Sequence, residues 1–203
     1  MIRKHPCEYP VPAFAEGCQV GPPPHHKGPL VFMDYDQLEL DASYDQVYYE
    51  PLIADVGKRL SSNSDAMRAR IGAPQRVAYG PTEIEKLDIY RTSRPKAPVF
   101  VFIHGGSWRV GSAAQYGYPA EMFINAGAHY VALDFIAIKE AGGDLGTMAA
   151  QVRRGITWVY KNAANFAGDP ERIFIGGHSS GGTSAALLSS LTGRKSLDSP
   201  KTP

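Results

Sequence analysis

The run Gly177-His-Ser-Ser-Gly181 constrains this chain more than any other five residues. It follows the apolar stretch Arg172-Ile-Phe-Ile-Gly-Gly177 and opens a helix-like stretch from Gly182 to Leu191. A strand that passes into a helix through Gly-x-Ser-x-Gly turns too sharply for side chains two residues before and after the serine. The turn lifts the Ser179 hydroxyl above the C-terminal end of a strand, over the N-terminus of the next helix. The pattern specifies only three residues, so its meaning depends on the elements before it.

Those elements predict an α/β domain. Leu87 and Ile89 alternate with Lys86 and Asp88, which predicts an outer strand over 85–91 with one wet face. Val99-Phe-Val-Phe-Ile103 is a continuous apolar run, expected to be buried on both faces, and Tyr130-Val-Ala-Leu133 reads the same way. Residues 119–126 predict a helix with Pro119 in its first turn and Gly127 just past its end. Val152, Ile156, Val159, Ala163 and Phe166 recur at four, three, four and three, one apolar stripe on a helix over 147–166. Gly168-Asp-Pro170 reads as a turn, with Asp169 as its turn residue, and Ile173–Ile175 as the last strand. Further upstream, Gln75–Tyr79 predicts a short strand, Tyr44, Val47, Tyr48 and Leu52 share a helical face, and a second helix covers 53–60. Ser64 is placed as the N-cap of a third helix ending at Gly72. The order implies a mostly parallel sheet with an antiparallel start and helices on both faces.

Residues 1–34 form a Pro/Gly-rich arm, and residues 35–203 the domain proper. Pro22-Pro-Pro24 and its neighbours exclude a regular helix or a central strand. His25 and His26 lack a third ligand nearby and read as solvated loop, so no metal or cofactor is expected. The 21 basic and 20 acidic residues leave a formal charge of +1, which gives no reason to expect nucleic acid or an anionic membrane as partner. No apolar run reaches membrane-spanning length, and the N-terminus lacks the apolar core of a secretion signal. Cys7 and Cys18 read as free thiols of a cytoplasmic protein. No Gly-x-Gly-x-x-Gly and no Gly-Lys-Ser/Thr follows a strand, so nucleotide-binding loops are not indicated.

The second glycine-rich turn, His104-Gly-Gly-Ser-Trp108, follows the central strand. Small residues there let backbone N–H groups approach a carbonyl oxygen as it becomes negative. The N–H of Ser180, the residue after the serine of the turn, is the other expected donor. Trp108 is placed at the substrate pocket, or else in the core. His104 is expected to hold the loop rather than act as base, and His178 to support the turn. Asp134 reads as a loop or cap hydrogen-bonding group.

These segments together resemble an α/β-hydrolase of the arylformamidase (kynurenine formamidase) and carboxylesterase-like group. The resemblance rests on His104-Gly-Gly-Ser-Trp108, Gln151–Trp158, Asn162–Pro170, Gly177–Gly182 and Leu40–Gln46. It implies Ser179 as nucleophile, Gly105, Gly106 and Ser107 as the oxyanion loop with a further N–H from Ser180, and cleavage of an ester or amide, N-formyl arylamines among them, through an acyl-enzyme without a cofactor. The group carries its acid and histidine after the serine, and no histidine follows Gly181 here. The chain is therefore expected to be the N-terminal part of a hydrolase, truncated before its last strands, with Ile173–Ile175 an open apolar edge. Such an edge suits homo-oligomer formation. It also fits the alternative of an inactive hydrolase-like interaction protein, while His25, His26 or His104 as a surrogate base is a third reading. Phe135–Lys139 and the glycine-rich 141–146 depart from the group's pattern at the pocket border.

Overall fold

The computed structural model describes residues 25–44 and 52–185. Val47, Tyr48, Cys7, Cys18 and the expected helical residues 186–191 lie outside them. The chain divides into two compact units, the first ending at Val56 and the second starting at Gly57.

In the first unit, β1 (Leu30–Phe32) and β2 (Tyr35–Asp36) make an antiparallel hairpin that leads into α1 (Gln37–Ser43). Asp36 organises it. Its side chain accepts the Glu39 N–H while Glu39 reaches back to the Asp36 N–H, a reciprocal cap. The other carboxylate oxygen accepts the Gly28 N–H and pairs with His25 at 2.7 Å. These backbone donors, with His25, hold the Asp36 carboxyl well below its usual range. His25 is exposed and also paired with Asp36, and Gly28 is tied to the same carboxylate.

The second unit is built on a five-stranded sheet. Its strands are β3 (Gln75–Ala78), β4 (Lys86–Tyr90), β5 (Ala97–Ile103), β6 (His129–Leu133) and β7 (Gly168–Gly177). The spatial order is β3-β4-β6-β5-β7. The β3–β4 and β4–β6 pairs are antiparallel, while β6–β5 and β5–β7 are parallel, as expected. The helices are α2 (Ile53–Ile71), α3 (Ala120–Asn125) and α4 (Leu145–Asn162), which tightens into a 3-10 turn over Ala163–Phe166. Residues 180–185 are helical after the serine turn. Among the described residues no helix is long and apolar enough to cross a membrane.

Strand alternation sorts the core into two layers. Leu87, Ile89, Val99, Val101, Ile103, Val131 and Leu133 face α4, meeting Met148, Val152 and Val159. The opposite set, Tyr90, Tyr130 and Ala132 with Phe100 and Phe102, meets Met67 of α2 and Phe123 of α3. Phe100 and Phe123 stack at 4.4 Å. Helices therefore cover both faces. A Cβ on Gly155 would stand 3.1 Å from Leu133, so α4 lies close against β6.

Three expectations are corrected. Ser64 does not cap a helix, and residues 53–72 do not hold two helices. Ser64 sits inside the single α2, fully buried, where its hydroxyl donates to Gln115 O at 2.7 Å and accepts the Tyr118 N–H at 2.9 Å. The hydroxyl serves a distant loop rather than a helix end. Gly168-Asp-Pro170 belongs to β7 rather than to a free turn. Gly168 pairs with Ala97, and the register then slips before Ile173 meets Val99. Within the slip Asp169 accepts the Glu171 N–H at 3.0 Å, so the turn chemistry survives as an irregularity in a strand.

The third correction concerns β4, whose supposed wet face is buried. Asp88 is 3% exposed and pairs with Arg76 at 2.7 Å, and the same guanidinium reaches Asp134 at 2.6 Å. Burial pushes the Asp88 carboxyl up and Arg76 works against it. Arg76→Met leaves both carboxylates without their cation. We expect a loss of roughly 2–3 kcal/mol, below the cost of breaking a fully buried pair because the Arg76 side chain is 44% exposed. Urea unfolding of both proteins measures it.

Candidate active site

The site is made where β5 and β7 end side by side. Ile103 pairs with Gly177 in the last parallel step, and the His178 N–H donates to Ile103 O at 3.2 Å. Beyond that point each strand enters its glycine-rich turn.

The turn after β7 is dictated by space. A Cβ on Gly177 would lie 2.4 Å from the Gly181 carbonyl carbon, and one on Gly181 would lie 2.1 Å from Ile103 O. Both are closer than real Cβ atoms come to backbone, so glycine is required at both. Between them Ser179 has φ 52°, a left-handed conformation that costs a non-glycine residue about 1–3 kcal/mol. The Gly181 N–H closes on His178 O at 2.9 Å and the Gly182 N–H on Ser179 O at 2.9 Å. Ser179 is exposed and Ser180 is buried.

The turn after β5 is left-handed for three residues: Gly106 has φ 116°, Ser107 φ 54° and Trp108 φ 58°. Gly106 O accepts the N–H groups of Arg109 and Val110, which closes the loop. Among the described residues no backbone acceptor takes the N–H of Gly106 or Ser107. Gly105 brings this loop against the serine turn. A Cβ there would stand 2.7 Å from His178 O and 3.1 Å from Ser179 Cβ.

His104 is 5% exposed, with Nδ1 2.8 Å from Gly105 O and its ring stacked on Phe135 at 4.3 Å. Its Nε2 is buried with no hydrogen-bond partner among the described residues. Burial lowers its pKa, while the Gly105 carbonyl and the Asp134 charge act the other way. His178 is exposed, with its ring 6.0 Å from Tyr116. Among the described residues no imidazole or carboxylate hydrogen-bonds the Ser179 hydroxyl. The acid and base expected after the serine do not occur in residues 182–185.

A cavity of about 150 Å³ opens beside the two turns, lined by His104, Gly105 and Ser180 together with Trp108, Phe135 and Ile84. Trp108 both lines this cavity and packs against the core. Ile84 comes from the loop before β4 and carries no signal in the sequence. Asp134 is a loop anchor, as its place after a buried strand suggested: Oδ1 accepts the Ala113 N–H at 2.6 Å, and its carbonyl accepts the Tyr79 hydroxyl at 2.5 Å. The Ile136 N–H, at the cavity wall, is held by Gln151 of α4 at 2.8 Å. Among the described residues no three His, Cys, Asp or Glu side chains gather as a metal site.

A mixed sheet whose parallel strands end in a glycine-bounded serine turn and, beside it, a His-Gly-Gly loop is the α/β-hydrolase arrangement. A family model described as BD-FAE matches residues 87–202, more than half of the chain. The chain belongs to this BD-FAE family of α/β-hydrolases. It is 31% identical over 176 residues to kynurenine formamidase of Danio rerio, covering 83% of this chain and 58% of that protein. It is 32% identical over 112 residues to Esterase-5A of Drosophila persimilis, covering 50% of this chain and 20% of that protein. Among solved structures, the propionate-bound esterase Est2 of Thermogutta terrifontis superposes with a TM-score of 0.53 at 28% identity. That match covers 58% of this chain and 45% of the esterase. The chain thus spans little more than half the length of the formamidase, and less of the two esterases.

Proposed function

We propose that this chain carries the nucleophile and the oxyanion-binding half of a serine hydrolase that cleaves small-acyl esters or amides. Ser179 Oγ attacks the substrate carbonyl. The carbonyl oxygen becomes negative and is met by N–H groups of the Gly105–Ser107 turn and of Ser180. Ser179 Oγ gives up its proton as it attacks, and the C–O or C–N bond to the leaving group then breaks as that proton is delivered to the leaving oxygen or nitrogen. Water cleaves the acyl-enzyme in the same way and restores the serine. His104 braces the loop through Gly105, and His178 braces the serine turn. The observation that supports the reading is the close approach of the two turns, where a Cβ on Gly105 would stand 3.1 Å from Ser179 Cβ while the Gly106 and Ser107 N–H groups meet no backbone acceptor among the described residues.

The cavity supports a short acyl group. Its volume of about 150 Å³ is below the roughly 300–1,000 Å³ of pockets that take drug-sized ligands. Formyl, acetyl and propionyl groups fit that size, and the formamidase and esterase names of the relatives agree with such substrates. On p-nitrophenyl esters of increasing chain length, kcat/KM is expected to be highest for acetyl to butyryl. It should fall about tenfold or more by octanoyl, each misplaced methylene costing a few-fold or more. A flat profile, or one rising with chain length, overturns the small-acyl assignment.

A second reading is favoured by one observation. On β7, an outer strand among the described residues, Phe174 is 57% and Ile175 39% exposed. An interaction protein pairing through that strand would run as a dimer by light scattering and would turn over no ester.

A further inference from the structure

We infer that the Ser180 side chain is a positioning group that latches the Gly106–Trp108 turn to the turn bearing Ser179. The inference rests on the hydrolase reading above and adds a role for the hydroxyl, as distinct from the Ser180 backbone N–H.

Ser180 is 7% exposed, and its Oγ accepts the Trp108 N–H at 3.3 Å, across 72 residues of sequence. The Trp108 carbonyl accepts the Ile138 N–H at 2.7 Å. The two peptide groups flanking Trp108 are therefore held from opposite sides, one by the serine turn and the other by the loop on the far wall of the cavity. Trp108 is also the last of three consecutive left-handed residues. L-residues leave that conformation when nothing holds them, because Cβ crowds the backbone. Release at Trp108 lets Ser107 relax towards negative φ and turns the Gly106 and Ser107 N–H groups away from the carbonyl oxygen they face. Oxyanion donors act only within a few tenths of an ångström of their target distance, so a small relaxation there slows reaction without weakening ground-state binding.

Ser180→Ala removes the hydroxyl and keeps the backbone N–H. The full chain and its variants are treated with a fluorophosphonate probe and assayed on p-nitrophenyl acetate. Ser180→Ala is expected to slow labelling and lower kcat by about tenfold or more, with KM changed less than about twofold. Ser180→Thr, which restores a hydroxyl, returns the rate to within about threefold of the parent. Ser184→Ala, which removes the hydroxyl bonded to Ser180 O at 3.2 Å, leaves the rate unchanged. Hydrogen exchange at the Trp108 amide speeds up in Ser180→Ala and returns to the parent rate in Ser180→Thr. Parent-rate labelling by Ser180→Ala, or equal slowing in the alanine and threonine variants, overturns the latch while leaving Ser179 as nucleophile. A parent chain that takes no label overturns the hydrolase reading and the positioning role with it. Unchanged Trp108 exchange in Ser180→Ala then shows that the latch itself is also wrong.

Discussion

A fluorophosphonate probe is expected to label the parent chain at one residue and to leave Ser179→Ala unlabelled. Ser179 is exposed, so the variant loses an oxygen and little packing. Melting temperatures should therefore agree within about 2 °C, the change expected for less than 1 kcal/mol in a domain of this size. Loss of the nucleophile in a serine hydrolase costs about a million-fold in turnover, so residual labelling in the variant should be undetectable. Intact mass gives the stoichiometry and peptide mapping gives the position. Label found on Ser107 or Ser180 would move the nucleophile and dissolve the proposed geometry. The absolute rate in the parent depends on the base that takes the Ser179 proton. The comparison between parent and variant does not, because it asks only which oxygen forms the bond.

The second large effect falls on Gly181. An alanine in a helical turn ordinarily helps by up to about 1 kcal/mol relative to glycine. Here the added Cβ would meet Ile103 O at 2.1 Å and His104 O at 2.5 Å, both backbone atoms at the end of the central strand. Neither can move without pulling β5 away from β7. We expect Gly181→Ala to destabilise the chain by about 3 kcal/mol or more, lowering the melting temperature by roughly 6–12 °C and abolishing labelling at Ser179. Gly182→Ala is the control. Its nearest neighbour would be Gly177 O at 3.4 Å, an ordinary contact, and it should fold and label like the parent. Equal behaviour of the two variants would mean that the serine turn does not close on β5 as described.

What the sequence reveals, and what it conceals, divides along one physical line. Steric demands within a few residues leave a mark: Gly177 is required by Gly181 and Gly182 in its own turn, while Gly181, required by Ile103 O and His104 O at the end of another strand, is legible only as part of the five-residue pattern. The apolar runs at 99–103 and 130–133 follow from burial. The stripe Val152–Phe166 predicts the helix that covers the sheet, though it ends as a 3-10 turn beyond Asn162. Side-chain hydrogen bonds and ion pairs between distant residues leave none. Ser64 reads as a cap because its partners, Gln115 and Tyr118, lie more than 50 residues away. Asp88 reads as wetted because alternation with Leu87 and Ile89 is the pattern of a half-exposed strand, and its pairing with Arg76 on the neighbouring strand offsets its burial. The hydroxyl of Ser180 is silent for the same reason. Its neighbour in sequence, the proposed nucleophile, sits in a glycine-bounded pattern, while the partner of the Ser180 hydroxyl is on another turn.

The strand that carries Ser179 bonds to β5 along one side only among the described residues. Fraying of β7 would therefore tilt the proposed nucleophilic oxygen of Ser179 directly, whereas fraying of β3 at the far edge would not. Urea well below the unfolding midpoint should thus erode reactivity at Ser179 before it erodes the bulk circular dichroism signal.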